Sequence, residues 1–267
     1  MSFLVKKDCE IGIIGGSGIY DPTMLENVKE TKVYTPYGRT SDLVCSGSFR
    51  GRRVAFISRH GRHHQIPPHL VPYRANIWAL KELGVQRIIS ASAVGSLRDD
   101  YKPGEFVILD QFIDRTKWRK DTYYEGGQVC HVSTADPFCH ELRETFIASA
   151  KQLGIKTHDT GTYVCIHGPR FSTRAESKLF RSWGADVIGM TLFPEVALSR
   201  ELELCYTSVA MVTDYDVWSK RPVSAEEILK TMSGNAKNFK RLVTYTIPRI
   251  PRIRHCECGS ALSNAMV

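Results

Sequence analysis

Short runs of apolar and β-branched residues alternate along the chain with longer stretches in which apolar residues recur at helical spacing. The short runs predict strands at Ile11 to Ile14, Arg53 to Ser58, Arg87 to Ser92, Phe106 to Leu109, Gly161 to His167, Asp186 to Met190 and Leu204 to Val212. The helical spacing predicts helices over Arg74 to Leu83, Cys139 to Leu153, Ser172 to Trp183, Glu195 to Leu202 and Ser224 to Tyr245. This alternation favours an α/β fold, a single domain with a mixed, largely parallel central sheet flanked by helices.

Glycines mark several predicted helix ends. Gly84, Gly154 and Gly184 each follow a helical stretch, where a left-handed cap favours glycine. The chain beyond Pro248 has a second proline and then Gly and Ser, which is typical of an extended segment. We therefore predict one domain over residues 1–250 and a C-terminal tail over 251–267.

Composition narrows the class of protein. A chain of 267 residues with 42% apolar residues can bury a sizeable core. Its net charge of +8 would suit nucleic acid, but Lys and Arg are scattered, so a basic surface that attracts small anions explains the charge as well. Charges among the first residues argue against a signal peptide, and no apolar run approaches the ~18 residues of a membrane span. We expect a cytoplasmic protein with no nucleic-acid and no membrane partner.

The eight cysteines do not form the paired CxxC spacing of a zinc site, so the sequence predicts no metal site. Most are expected to be buried or free thiols. Intracellular disulfides do occur in hyperthermophiles, which leaves Cys256 with Cys258, and Cys139 with Cys205, as candidate pairs. Cys130 and His131 lie on a polar loop without further ligands nearby in the sequence.

The first two predicted strands end in residues that suit a phosphate. Gly15-Gly16-Ser17-Gly18 offers exposed backbone N–H groups and a hydroxyl, although a plain tight turn would look the same. The second strand leads into Arg59-His60-Gly61, followed by Arg62 and further histidines. Arg-His-Gly is also the motif of histidine phosphatases. Those enzymes carry the motif on their first strand, whereas here a glycine-rich strand precedes it. A solvated basic loop is the third interpretation of this segment.

Later strand ends suit a planar ligand. Small residues from Ser92 to Ser96 allow a close approach to the backbone. Ser172 or Thr173 can cap the helix that follows Gly168, and Phe171 can stack on a ring or pack in the core. Asp214 and Asp216, separated by one residue, can meet two edges of a purine, although such a pair is also common in turns.

Taken together, these segments resemble the 5′-methylthioadenosine phosphorylases of the trimeric purine nucleoside phosphorylase family. The resemblance runs from about Ile11 to Ile250, and the motifs follow the family's order: GIIGGSGIYD, SRHGRHH, YRANIWALKELG, GSLRDDYKPGEFVILDQFIDRT, GPRFSTRAES, GADVIGMTLFPE and TDYD. The resemblance implies a nucleoside phosphorylase-like fold.

The resemblance also implies roles for particular residues. Phosphate would be bound by Ser17, Arg59, His60, Ser92, the Ala93 backbone and Thr191. Nucleoside would meet Phe171, Ser172, Met190, Asp214 and Asp216, with Ala225, Ile228 and Leu229 around the methylthio group and His131 reaching in from a neighbouring subunit. Family members often have threonine at positions 17 and 92, and serine keeps the hydroxyl donor.

The implied reaction is phosphorolysis of 5′-methylthioadenosine to adenine and 5-methylthioribose 1-phosphate, a glycosyl transfer of purine and methionine salvage. Two aspartates accept hydrogen bonds from an amino group, whereas ionised carboxylates repel the O6 of hypoxanthine or guanine. Asp214 and Asp216 are the candidate catalytic residues. A broader phosphorylase acting on adenosine or inosine, and a catalytically silent nucleotide-binding protein, are the alternatives. We expect phosphate as co-substrate, no metal or organic cofactor, and a homo-oligomer, either a trimer or a dimer of trimers.

Overall fold

The structure is a computed structural model that describes residues 6–16, 24–219 and 225–267, with the side chains of residues 225–227 and 229 outside this set. Within these ranges the chain forms strands and helices in an alternating order. The strands are β1 Ile11–Gly15, β2 Glu26–Thr31, β3 Val44–Phe49, β4 Arg52–Ser58, β5 Arg87–Ser96, β6 Phe106–Ile108, β7 Gln111–Arg115, β8 Thr157–His158, β9 Thr162–Ile166, β10 Val187–Gly189 and β11 Cys205–Asp214. The helices are α1 Tyr73–Glu82, α2 His140–Leu153, α3 Arg174–Ser182, α4 Glu195–Glu201 and α5 Ala225–Thr246.

The strands form one mixed sheet. Its main path runs β2-β3-β4-β1-β5-β10-β9-β7, and β11, β6 and β8 branch from β5. Parallel pairing joins β1 to β4 and β5, β11 to β5, β9 to β10 and β7, and β6 to β8. The other pairs are antiparallel. The predicted α/β class, with a mixed and largely parallel sheet, is confirmed.

Strand β5 changes partner along one of its edges. Residues 87–90 pair with β1, whereas Gly95 and Ser96 pair with β10. On the opposite edge, β11 pairs with β5 from Arg87 to Gly95. The residues between the two partners, 91–94, are therefore open on one edge at the carboxyl end of β1. Crevices of this kind are where α/β sheets bind ligands.

Helices cover both faces of the sheet. One buried cluster joins residues of α1 and α4 to the sheet, among them Ile77 and Val196. A second joins α2 and α5 to the other face, with Phe146 and Phe239 in its centre. None of the helices in the described ranges combines the length and the apolar character that a membrane crossing requires.

The predicted element bounds need two corrections. β5 continues to Ser96, so the segment from Ser92 that was predicted to follow the strand lies within it, because β11 extends the pairing to Gly95. Sequence patterns also missed four strands. β2 is almost wholly exposed and β8 has only two residues, while β3 contains small polar residues and β7 lies at the sheet's edge, so none carries a strong apolar pattern.

Candidate active site

A cavity of about 760 Å³ lies where β5 changes partner. Pockets of roughly 300–1,000 Å³ are typical of small-molecule sites. The ends of β1, β4, β5, β10 and β11 contribute to its lining, together with one face of α5. The lining includes the predicted residues Arg59, His60, Ser92, Ala93, Phe171, Ser172, Met190, Thr191, Asp214, Asp216 and Ile228.

Arg59 is fixed by a buried carboxylate. Its Nε donates to Glu195 Oε2 at 2.8 Å and its Nη2 to Glu195 Oε1 at 2.9 Å, and both side chains are 1% exposed. Nη1 donates to the Ala91 carbonyl at 2.9 Å, on the open edge of β5. Ser90 and Tyr206 hydroxyls also donate to Glu195 Oε1. Burial lowers the pKa of Arg59, but the Glu195 carboxylate more than offsets this, so the guanidinium stays charged.

His60 is neutral in this environment. Burial and the charge of Arg59 lower the pKa of His60 to about 4. Its Nδ1 lies 2.8 Å from the Ile66 carbonyl, to which only a protonated Nδ1 can donate. The neutral ring therefore carries its proton on Nδ1 and leaves Nε2 as an acceptor.

Hydroxyl and amide groups lie opposite these side chains. The Ser92 hydroxyl oxygen is buried without a hydrogen-bond partner, and Ala93 follows it on the open part of β5. Thr191 comes after β10, and its backbone N–H donates to the Tyr163 hydroxyl at 3.3 Å. Gly16, the residue after β1, lines the cavity. Ser17 lies outside the described residues.

Asp214 and Asp216 lie together at the far end of β11. The Asp216 backbone N–H donates to Asp214 Oδ1 at 2.8 Å, and the Thr213 hydroxyl donates to Oδ2 at 2.7 Å. Burial raises the pKa of Asp214. Asp216 has a left-handed φ of 47°, a conformation that aspartate tolerates better than most residues. A Cβ on Gly95 would lie 3.1 Å from Asp214 Oδ1 and 3.2 Å from the Asp216 Cβ, so any larger residue here would crowd the pair.

The segment before α3 faces this pair. The Ser172 hydroxyl donates to both Asp216 carboxylate oxygens, at 2.9 and 3.0 Å. Phe171 beside it is 70% exposed, so the alternative of a core phenylalanine is wrong for this residue. Thr173 caps α3 in a reciprocal capping box with Glu176, which fixes the backbone just after Ser172.

Met190 follows β10 at the floor of the cavity. The guanidinium of Arg119 donates to the carbonyls of Met190, His167 and Phe193. Gly168 has φ 67°, and a Cβ there would lie 2.7 Å from the Met190 sulfur. Arg119 and Gly168 together fix the backbone around Met190.

Besides Ser17, three predicted residues remain untested by this geometry. His131 is exposed, lies outside the cavity lining, and its backbone N–H donates to the Ala265 carbonyl at 2.7 Å. A role in a neighbouring subunit's site stays a prediction. Ala225 and Leu229 belong to α5, but their side chains are outside the described set, whereas Ile228 lines the cavity with Met232, Ser233 and Ala236 of the same helix.

Sequence reasoning missed the groups that hold the binding residues in place. Glu195 was placed on a helix after a strand without a role, and Ser90, Tyr206 and Arg119 were not singled out. A buried glutamate or arginine gives no local signal, since its partner lies far away in the chain. The spacing between Arg59 and Glu195 is 136 residues.

Comparisons with known proteins identify the family of this chain. The Phosphorylase superfamily profile matches residues 10–248. S-methyl-5′-thioadenosine phosphorylase of Thermofilum pendens is 61% identical over 258 residues, covering 97% of this chain and 98% of that protein. The enzyme of the same name from Nitrosopumilus maritimus is 52% identical, covering 98% and 99%.

Solved structures give the same result. A methylthioadenosine phosphorylase from an antarctic soil metagenomic library superposes with a TM-score of 0.94 at 44% identity, covering 98% of this chain and 93% of that one. Methylthioadenosine phosphorylase from Schistosoma mansoni, in complex with adenine, has a TM-score of 0.90 at 36% identity, with 96% of each chain covered. The chain therefore belongs to the phosphorylase superfamily and, within it, to the S-methyl-5′-thioadenosine phosphorylases.

Proposed function

We propose that this chain cleaves the N-glycosidic bond of 5′-methylthioadenosine with inorganic phosphate, giving adenine and 5-methylthioribose 1-phosphate. The observation that carries the proposal is a single cavity with a buried arginine and hydroxyl groups at one end and the Asp214–Asp216 pair at the other. Phosphate and purine can therefore occupy opposite ends of one site, with the ribose between them above Met190.

At the phosphate end, the donors are arranged before the ligand arrives. Arg59 is held by Glu195, and Ser92, Ala93 and Thr191 supply hydroxyl or amide donors. Ser17, which lies outside the described residues, is proposed as a further hydroxyl donor. His60 differs from these groups because its free Nε2 is an acceptor. This Nε2 can accept a hydrogen bond from the hydroxyl of HPO₄²⁻, whereas the unprotonated oxygens of the anion accept from Arg59 and the hydroxyl and amide groups. The bound anion is thereby oriented with unprotonated oxygens free to attack C1′.

Glycosidic cleavage places positive charge on the ribose and negative charge on the leaving purine. The phosphate dianion stabilises the positive charge on the ribose. The raised pKa of Asp214 favours its protonated form, which can donate to N7 as the base departs. Ser172 holds the Asp216 carboxylate so that it accepts from the N6 amine. Phe171 can stack on the purine, and Ile228 of α5 can pack against the apolar methylthio group. Ala225 and Leu229, whose side chains lie outside the described set, are proposed to complete that apolar pocket.

We also propose the assembly, requirements and setting of this enzyme. The exposed His131 suits a role in a neighbouring subunit's site, which requires a homo-oligomer, a trimer or a dimer of trimers. The chemistry needs phosphate as co-substrate and no metal or organic cofactor. We place the reaction in the cytoplasm, in purine and methionine salvage.

The test is phosphate-dependent release of free base from 5′-methylthioadenosine, adenosine and inosine in parallel. We expect adenine mainly from 5′-methylthioadenosine and only when phosphate is present. A preference for inosine would overturn the base-recognition argument while keeping the reaction class. Tight purine binding without turnover on any nucleoside would instead identify a catalytically silent nucleotide-binding protein.

A further inference from the structure

A half-buried arginine outside the cavity lining contacts three of the segments that form the cavity. Arg119 belongs to the loop between β7 and α2. Its Nη2 donates to the His167 carbonyl at 2.8 Å and to the Met190 carbonyl at 2.9 Å, and its Nη1 donates to the Phe193 carbonyl. These carbonyls follow β9, follow β10 and precede α4, so one guanidinium joins the ends of three elements.

We propose that Arg119 is a positioning residue for phosphorolysis, which keeps the ribose floor at Met190 in register with the groups that bind phosphate. This role rests on the proposed function. The reaction needs a phosphate oxygen and C1′ of the ribose at reacting distance, and a displacement of about 1 Å in such a geometry can cost about 100-fold in rate. A side chain outside the cavity can therefore control turnover without touching the substrate.

Met190 is held on two sides through this guanidinium. Its carbonyl accepts directly from Nη2 of Arg119. Its side chain packs against Gly168, where an added Cβ would lie 2.7 Å from the Met190 sulfur. The residue before Gly168 is His167, whose carbonyl accepts from the same Nη2. Loss of Arg119 would release both contacts at once, and the ribose floor would no longer have one fixed position.

The peptide unit between Met190 and Thr191 is fixed at both of its edges. Arg119 donates to the carbonyl of this unit, and its N–H, which belongs to Thr191, donates to the Tyr163 hydroxyl at 3.3 Å. Because a peptide unit is planar, these two contacts set the direction in which the chain continues to the Thr191 side chain. The ribose floor and one of the proposed phosphate ligands therefore share this anchor.

The third carbonyl leads to the arginine that is proposed to bind phosphate. Phe193 lies two residues before Glu195, whose carboxylate holds Arg59. An anchor on the Phe193 carbonyl therefore limits movement of the first turn of α4 and, with it, of Arg59. Arginine suits this task because its planar guanidinium carries five donors in a fixed fork, whereas lysine places a single charge on a flexible stem.

The test compares turnover with binding in the full chain. We expect Arg119→Ala to lower kcat on 5′-methylthioadenosine by about 100-fold. The dissociation constant of adenine, measured by calorimetry, should stay nearly unchanged, because Ser172 at the start of α3 orients Asp216. Arg74→Ala is the matched control, since Arg74 donates to the Thr122 carbonyl of the same loop at 3.3 Å but lies outside the cavity lining. Its kcat should equal that of the unaltered chain.

Chemical rescue separates positioning from a general loss of structure. Guanidinium added below the concentration that unfolds the chain should restore part of the lost kcat of Arg119→Ala and leave Arg74→Ala unchanged. If Arg119→Ala does not fold, Arg119→Lys takes its place, because it keeps the charge without the fork and should also lose turnover.

Two outcomes would overturn this role alone: an Arg119 variant with the kcat of the unaltered chain, or one that loses adenine affinity as much as turnover and does not respond to guanidinium. An unaltered chain that phosphorolyses no nucleoside would overturn the proposed function and this role with it.

Discussion

Arg59 directs most of its donors at the protein rather than at the cavity. Glu195 and Ala91 accept from all three guanidinium nitrogens, and Ser90 lies 2.7 Å from Nη2. The side chain therefore has one orientation before any ligand binds, which reduces the entropy lost on binding phosphate. Glu195 also offsets part of the positive charge, so the bound phosphate retains its nucleophilic character.

Replacing Glu195 tests whether its carboxylate holds Arg59 in one orientation. Glu195→Gln leaves the buried guanidinium of Arg59 without its counter-charge, and loss of one partner of a buried pair typically costs about 3–5 kcal/mol of unfolding free energy. We expect a lower Tm and a phosphate KM raised by about tenfold or more, with a smaller change in the nucleoside KM.

The matched control for that variant is Glu125→Gln, which alters an exposed ion pair with Arg74 and Lys120 far from β4. Its Tm and kinetics should resemble those of the unaltered chain. A Glu195→Gln enzyme with an unchanged phosphate KM would show that Glu195 does not position Arg59.

Asp214 has a raised pKa because it is buried, and the proposed mechanism uses its protonated form. Turnover on 5′-methylthioadenosine should therefore be highest below the pKa of Asp214 and fall as the pH rises through it. Asp214→Asn carries a permanent donor and should lose this pH dependence. A profile with the same alkaline fall in both enzymes would remove Asp214 from the proton transfer.

Replacing Asp216 tests base selection, because its carboxylate is the group that the proposed mechanism places at position 6 of the purine. An asparagine can donate to O6 of a 6-oxopurine, whereas a carboxylate repels it. We expect Asp216→Asn to raise the ratio of kcat/KM on inosine to that on 5′-methylthioadenosine by about 100-fold. The measurement compares both substrates at saturating phosphate, with Asp186→Asn, which alters a carboxylate outside the cavity lining, as the control.

At the scale of elements, the start of α3 determines how the purine end of the site is built. Thr173 Oγ1 accepts from the Glu176 N–H at 3.1 Å, and Glu176 Oε2 accepts from the Thr173 N–H at 2.7 Å. Ser172, one residue before the cap, donates to Asp216. A secure helix start therefore fixes the donor that orients Asp216.

Removing the helix cap at Thr173 should weaken the binding of nucleoside more than the binding of phosphate. Thr173→Ala should lower the unfolding free energy by about 1 kcal/mol. We expect the KM for 5′-methylthioadenosine to rise and the KM for phosphate to stay unchanged. Ser182→Ala, at the other end of α3, is the control, since its hydroxyl donates only to Leu179. Equal nucleoside KM values in the two variants would contradict the role of the cap.

At the scale of the whole molecule, the role of His131 decides whether each chain forms a complete active site or needs a residue from a neighbouring subunit. His131 lies outside the cavity of its own chain, on the loop that the tail contacts. If it completes the site of a neighbour, a subunit with an intact cavity needs a neighbour with an intact His131. Two inactive variants can then restore each other.

Subunit mixing tests this directly. Asp214→Ala and His131→Ala are each expected to be poorly active alone. After unfolding and refolding together in equal amounts, about a quarter of the sites in a cyclic assembly would combine an intact Asp214 with a neighbour's His131. Recovery of activity near that level supports shared sites, whereas no recovery from properly assembled mixtures would contradict them. Sedimentation analysis of the mixture gives the oligomeric state.

The local sequence by itself determined much of this protein. Strand and helix periodicity arises from neighbouring residues, so the alternation of β1, β4, α1, β5 and most of the later elements was predictable, as was the α/β class. Motifs at strand ends identified many of the polar residues in the cavity lining, because residues close in sequence such as Arg59 and His60, or Asp214 and Asp216, reach a ligand from one strand end.

Only the tertiary structure decided which distant residues meet. The Arg59–Glu195 pair, the partner change along β5 and the cluster formed by Cys139, Cys205, Cys256 and Cys258 each join segments far apart in the chain. The cysteine spacing gave no sign of this cluster, because Cys139 and Cys205 join the tail only after folding. Local patterns encode local conformation. Which residues share a charge, a cavity or a cluster depends on how the folded segments pack against one another.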